Sequence, residues 1–141
     1  MNMNLRPGDG IEFLRFHRNF LRKSLRWYNA QGLNPKSVEP WSSIPVEIKT
    51  HPGWTSRLQE AENRITRNLA SFESSDELGI FLLTSSLHDA VHAIGAEVYS
   101  DMDFGQIRWA PRSTLFFNWH GMIDRRWRAF QRIKKSIRRS R

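Results

Sequence analysis

The sequence has no cysteine and no long apolar run, and both absences narrow what the chain can be. Without cysteine it forms no disulfide, no thiolate zinc site and no cysteine nucleophile, so any metal site must use nitrogen and oxygen ligands. No stretch approaches the roughly 20 apolar residues that a membrane helix needs, and the first ten residues lack the apolar run of a signal peptide. A glycine-rich phosphate loop and a nucleophile elbow are also missing. We therefore expect a soluble, cytoplasmic protein that uses neither of these two catalytic motifs.

What the sequence does contain predicts a single folded domain over residues 1–141. A chain of 141 residues with 39% hydrophobic and 12% aromatic content can bury one real core. The net charge of +8 is concentrated in the basic helix end at residues 125–141. Clustered charge of this kind is compatible with nucleic acid, an anionic surface or an acidic partner. We favour a solvated helix end, because cations also suit a helix C-terminus electrostatically.

Hydrophobic periodicity predicts four amphipathic helices and no strand, so the expected fold class is all-α, a minimal four-helix bundle. The expected helices cover residues 10–28, 54–72, about 76–96, and 114 to the late 130s, with a long connection at 29–52. On the first helix the predicted inward stripe contains Phe13, Phe16, Phe20 and Trp27, with His17 among them. Its exposed side is expected to include Arg18, and Asp9 is a possible N-cap. On the second helix, Glu60 and Glu62 are expected to be exposed.

Histidine is the residue type that points to a function. His88 and His92 are four residues apart in a helical pattern, so both imidazoles project from one face, about one turn apart. His120 lies on the inward face of the last helix, and His17 on that of the first. Burying several imidazoles in a small core is costly unless they are neutral and partnered, and a metal ion satisfies them together. His51, beside a proline in a loop, is most simply a surface residue.

The segment from Leu87 to Trp127 resembles the second copper-binding segment of tyrosinases, catechol oxidases and molluscan haemocyanins. That pattern has a histidine pair four apart, a glycine, a variable loop, and a Phe-x-x-His-His-x-x-x-Asp-Arg-x-Trp helix. The matching positions here are His88, His92, Gly95, Phe116, His120, Asp124, Arg125 and Trp127. The segment from Phe13 to Leu21 is similar to the family's Phe-Leu-x-Trp-His-Arg-x-Phe-Leu helix, in which His17 matches a ligand of the first copper site.

The resemblance implies a copper oxidoreductase that uses dioxygen on a phenolic or other small aromatic substrate. It implies His88, His92 and His120 as copper ligands, with His17 completing or supporting the site; zinc is also compatible with such ligands. The other site residues that it implies are Asp89, beside the first ligand, and the Asp124–Arg125 pair, which would brace the last helix.

The departures from the family pattern leave alternatives open. The family's paired copper site needs six histidines and this sequence has five, with none before His17. One chain would then hold one copper ion, or a homodimer or a partner chain would complete a paired site. The other interpretation is a non-catalytic metal-binding or accessory module in which the site is degenerate. At Asp89 the family has asparagine, and the carboxylate could adjust hydrogen bonding or bind metal itself.

Overall fold

The computed structural model describes residues 4–140, and this part of the chain is all-α, as predicted. The α-helices are α1 (Asp9–Ala30), α2 (Val46–Lys49), α3 (Ser56–Arg67), α4 (Ser75–Thr84), α5 (Leu87–Val98) and α6 (Thr114–Arg139). Short 3-10 turns occupy Pro35–Val38, Leu69–Ser71, Met102–Gly105 and Ala110–Arg112. No strand occurs between residues 4 and 140. The four predicted helices correspond to α1, α3, the α4–α5 pair and α6.

The third predicted helix is two helices, and that part of the prediction was wrong. The helix is interrupted at Ser85 and Ser86, and the axes of α4 and α5 differ in direction by 47°. Ser86 has a φ of 66°, a left-handed conformation that ends a helix and that serine seldom adopts. The Ser85 hydroxyl accepts a hydrogen bond from the Leu87 N–H at 3.3 Å, which helps α5 to begin in its new direction.

The helices α1 and α4 cross in close contact at two glycines, Gly10 and Gly79. A Cβ atom on Gly10 would overlap the backbone oxygen of Asp76, and one on Gly79 would overlap the backbone oxygen of Gly10. Both obstacles are backbone atoms, which cannot rotate away. The Asp76 carboxylate also accepts hydrogen bonds from the Gly8 and Ile11 N–H groups at 3.0 Å each, so it caps the start of α1 from the neighbouring helix. The N-cap of α1 is Gly8, with a φ of 100°, and Asp9 is already inside the helix.

The buried face of α1 differs from the predicted stripe. Leu14 and Leu21 are buried, Phe13 is partly buried, and Phe16 and Trp27 are more than 60% exposed. Leu14 and Leu21 are seven residues apart and share one face of α1, and Phe16 is turned about 200° away from Leu14 around the helix axis. The rest of the core comes from the other α-helices and from the segments that connect them, and its largest fully buried members are Trp119, Phe72 and Phe104.

A buried carboxylate fixes the long connection between α1 and α3. Glu62 is 3% exposed, not exposed as expected, and it accepts a hydrogen bond from the Ile44 N–H at 2.9 Å. The Lys49 ammonium lies 2.7 Å from the same carboxylate. A buried charge of this kind is tolerated because it is paired and hydrogen-bonded. The connection is therefore an ordered part of the bundle.

Between residues 4 and 140, no single helix is long and apolar enough to cross a membrane. The bent pair α4–α5 meets the criteria of length and composition only when the two helices are taken together.

Candidate metal centre

Three histidines from two helices come together inside the bundle. His88 and His92 are one turn apart on α5, and His120 projects toward them from α6. The Nε2 atom of His120 lies 3.2 Å from Nε2 of His88 and 3.2 Å from Nε2 of His92. One ligand atom from each of the three residues lies within 4.8 Å of the others. His120 is 1% and His88 is 8% exposed, and His92 is partly buried.

The hydrogen bonds on the far side of the rings decide which nitrogens carry protons. Nδ1 of His92 lies 2.8 Å from the carbonyl oxygen of Phe104, which only accepts, so the proton is on Nδ1. Nδ1 of His88 lies 3.1 Å from a carboxylate oxygen of Asp89, which assigns its proton in the same way. The Nε2 atoms of both rings are then lone-pair acceptors. Since Nε2 of His120 has at most one proton, it can satisfy only one of these two acceptors.

Burial keeps His17, His92 and His120 neutral at physiological pH. Burial, together with the nearby His88, lowers the pKa of His92 to about 4, and burial also lowers the pKa of His17 to about 4. Burial takes the pKa of His120 well below its usual range, and the other three histidines act in the same direction. Neutral imidazoles keep the lone pairs that a metal ion needs.

On the side away from His88 and His92, aromatic rings rather than a hydrogen bond hold the His120 ring in place. The ring of His17 stacks on it with centroids 4.1 Å apart and planes 9° from parallel, and the Phe116 ring is 4.4 Å away. Nδ1 of His120 is buried without a hydrogen-bond partner. Metal-binding histidines usually donate their second N–H, so this nitrogen is unusual and its ring depends on packing for its position.

His17 is close to the three histidines but is not one of the converging set. Its Nδ1 donates to the Phe13 carbonyl oxygen at 2.8 Å, within the same helix. Its ring centroid is 6.3 Å from that of His88. The Phe13 ring packs edge-on against His88 at 5.0 Å. The side chains of α1 thus form a cover over the cluster.

Asp89 and Asp124 both lie outside the cluster of three histidines. Asp89 contacts His88 at Nδ1, the nitrogen that faces away from His120, and this hydrogen bond lowers the pKa of the carboxyl. Asp124 accepts from Arg18 of α1 at 2.6 Å and from Arg128 at 2.9 Å. It does not pair with Arg125, which is exposed, because consecutive residues on a helix point about 100° apart.

Arg18 and Phe104 are residues that sequence reasoning missed. Arg18 was expected to be exposed, but it lies over the Trp127 ring at 3.7 Å and joins α1 to α6 through Asp124. The signal for this pair was present, since Arg18 follows His17 directly and Asp124 follows His120 by one turn. No comparable signal marked Phe104, which lies in the loop before α6 and contributes a backbone oxygen.

Gly95 makes room for Phe104. A Cβ atom on Gly95 would lie 2.6 Å from the Phe104 ring, so only glycine lets that ring reach its buried position. The ring in turn fixes the carbonyl oxygen that accepts from His92. The glycine that follows the histidine pair is therefore part of the support of the site.

His51 lies away from the cluster, on the turn after α2. Its Nδ1 accepts from the Gly53 N–H at 2.9 Å, and its Nε2 is 3.4 Å from Glu97.

The model of one protein family, described as the common central domain of tyrosinase, matches residues 26–133 of the chain. The matched region contains all three converging histidines and covers most of the sequence. The chain belongs to the tyrosinase family. The match begins after His17, so it does not include this residue. His17 is connected to the site by its stacking on His120 and by the similarity of its own segment to the family's helix. Neither the curated proteins nor the solved structures include a significant match.

The three histidines fit the copper ion that a tyrosinase domain implies. Metal–nitrogen bonds of about 2.0–2.1 Å at tetrahedral angles place ligand nitrogens roughly 3.3 Å apart. The observed separations of 3.2 Å agree with this spacing. Nε2 of His88 and Nε2 of His92 are both acceptors, and Nε2 of His120 has at most one proton to donate to them. A cation between the three nitrogens would satisfy all of them, so the donor set is suited to a metal ion.

Proposed function

We propose that this tyrosinase-family protein is a copper-dependent oxidoreductase that uses dioxygen on a phenolic or other small aromatic substrate. The observation that supports it most is the convergence of three histidines inside a tyrosinase domain, with Nε2 of His120 lying 3.2 Å from Nε2 of His88 and 3.2 Å from Nε2 of His92. Imidazole ligands suit copper well, and copper forms the most stable complexes among the divalent first-row metals; zinc is the competing ion.

A copper ion held by these three residues would supply the redox chemistry, by exchanging electrons with dioxygen and with the aromatic substrate. The chain's own residues prepare the site. The Asp89 carboxylate and the Phe104 carbonyl hold the Nδ1 protons of His88 and His92, which keeps both Nε2 lone pairs directed inward. The stacked ring of His17 keeps His120 in place, or turns to act as a fourth ligand.

The five histidines of the sequence supply one three-histidine set, so we propose one copper ion per chain and one domain over residues 1–141. A paired copper site would then require a second copy of the chain or a partner. Sedimentation velocity of the copper-loaded protein, together with its copper content, separates a one-copper monomer from a paired site in a dimer.

The test of the proposed activity is oxygen consumption with catechol as substrate, measured on the copper-loaded protein with a Clark electrode. We expect turnover in the wild type and in His51→Asn, because His51 is outside the cluster. His92→Asn removes an inward-facing lone pair, so turnover should fall at least about tenfold. Equal turnover in the wild type and His92→Asn would contradict the proposal.

The cover over the cluster favours a second candidate, a non-catalytic metal-binding or accessory module. Phe13 and His17 pack directly on His88 and His120, and His120 is almost completely buried, which restricts the approach of an aromatic substrate. If this function is the right one, the protein binds copper but shows no oxygen consumption with catechol or with smaller phenols. The first candidate predicts turnover that increases when Phe13→Ala opens the cover.

A further inference from the structure

All of the net charge of this protein lies on its last helix and the residues after it. Residues 1–113 contain 13 basic and 13 acidic side chains and are neutral as a whole. Residues 114–141 contain nine basic side chains and one acidic side chain, which gives the net charge of +8. The part of the chain before α6 and the surface of α6 therefore differ sharply in charge.

On α6 the cations form a straight stripe. Five of them recur at intervals of three and four residues, so they share one face of the helix. They are Arg125, Arg128, Arg132, Lys135 and Arg139, and all five are exposed. The stripe extends from Arg125 to Arg139, about 21 Å of helix, with one positive charge roughly every 5 Å. Of these five, Arg128 alone forms an ion pair within the described residues, with Asp124.

An aromatic ring lies beside the stripe. A groove of about 410 Å³ is lined by Trp41, Ser42, Ala129 and Arg126 together with three arginines of the stripe. The guanidinium group of Arg126 is held there by the Ser42 carbonyl oxygen at 2.6 Å. A row of cations next to a partly exposed tryptophan is the combination that binds a phosphate backbone and stacks a base.

We propose that the stripe and its groove bind single-stranded nucleic acid, with successive phosphates along α6 and a base against Trp41. Arginine, which makes up four of the five cations, binds phosphate oxygens with two parallel hydrogen bonds. A lipid surface fits less well, because the exposed apolar side chain of α6, Ile137, lies on the opposite side of the helix from the stripe and would not enter a bilayer that the stripe contacts. The apolar face of α6 is committed to the core as far as Phe130.

Fluorescence anisotropy with a labelled 12-nucleotide RNA and a labelled 12-nucleotide DNA tests this binding. If five phosphates are neutralised, log K falls with log salt at a slope of about −3.5, so affinity drops about 100-fold between 50 and 200 mM NaCl. The triple variant R132Q/K135Q/R139Q should bind at least about 30-fold more weakly at 50 mM salt, with a slope near −1.4. All three side chains are exposed, and unchanged circular dichroism and Tm confirm that the variant folds.

The matched control is K23Q/R57Q/R108Q, which removes the same charge from three exposed positions outside α6. It should bind RNA within about threefold of the wild type. Equal weakening in both triple variants would overturn the proposal, since net charge alone would then explain the binding. Tighter binding of duplex RNA, of polyglutamate or of vesicles with one-third anionic lipid, compared at equal anionic charge, would also overturn it. So would the lack of RNA binding at 50 mM salt.

Discussion

The buried histidines should make the metal-free protein sensitive to mild acid. His17 and His92 each have a pKa of about 4 in the folded chain, against about 6.5 for a histidine exposed to water. A difference of about 2.5 pKa units corresponds to about 3 kcal/mol for each residue. Because the folded pKa is the lower one, this stability is fully present above pH 6.5 and is lost as the pH falls toward 4. His120, shifted in the same direction, adds to the effect.

The predicted magnitude is large compared with the free energy of unfolding of an ordinary domain, about 5–15 kcal/mol. With two to three protons taken up on unfolding, the free energy should fall by about 2 to 4 kcal/mol per pH unit near pH 5. The lowered pKa values of Asp76 and Asp89 contribute in a different window, below about pH 4. The histidine and carboxylate contributions are therefore separable.

The assay is urea unfolding followed by tryptophan fluorescence in the presence of EDTA, at pH 7.0, 6.0, 5.0 and 4.5. His92→Asn should reduce the pH slope by about 1 kcal/mol per unit, because one shifted group is gone. His51→Asn is the matched control and should leave the slope as in the wild type. A flat free energy between pH 6.5 and 4.5, or an unchanged slope in His92→Asn, would refute the reasoning.

Three further predictions concern the bundle that holds the site, and urea unfolding at pH 7 measures the change in stability in each of them. Gly79→Ala should lower the free energy of unfolding by at least about 3 kcal/mol, because the new Cβ atom meets the Gly10 backbone. A decrease of less than about 1 kcal/mol would show that α1 and α4 separate easily. Asp124→Asn should lower the free energy of unfolding by about 1 to 3 kcal/mol, because it leaves the partly buried Arg18 without its anionic partner. It should also lower the copper affinity. An affinity equal to that of the wild type would argue against a role of Asp124 in supporting the site. Ser86→Gly should stabilise the protein by up to about 1 kcal/mol by relieving the left-handed backbone, and a loss of stability would mean that the serine side chain is needed there.

Much of the fold and the centre of the site were predictable because they follow from helical periodicity. The spacing of His88 and His92 places both rings on one face of a helix, and the apolar pattern around His120 turns it inward. The break at Ser86 was not predictable, because the apolar pattern continues through it and only the tertiary packing of α4 on α1 requires the bend. The exposure of Phe16 was not predictable either. The stripe that contains Phe16 has helical spacing, and so do the buried residues Leu14 and Leu21, so spacing alone does not show which face is buried.

The support of the site was harder to predict than its centre. The oxygen that fixes His92 is a backbone atom of Phe104, and any residue type provides a carbonyl there. The pairing of Arg18 with Asp124 depends on how α1 rotates against α6, which the close glycine contact of α1 with α4 determines. Glu62 was misjudged because its partners, Lys49 and the backbone of the connection, are distant from it in sequence.

Copper binding by the three histidines is tested most directly by the copper content per folded chain, measured by plasma mass spectrometry, together with the nitrogen hyperfine structure of the Cu(II) paramagnetic resonance spectrum. We predict one copper ion per chain with imidazole nitrogen ligands. His120→Asn should lose the ion and His51→Asn should keep it. A folded wild-type protein that takes up no copper, or a His120→Asn variant that retains it with the same spectrum, would contradict the central claim.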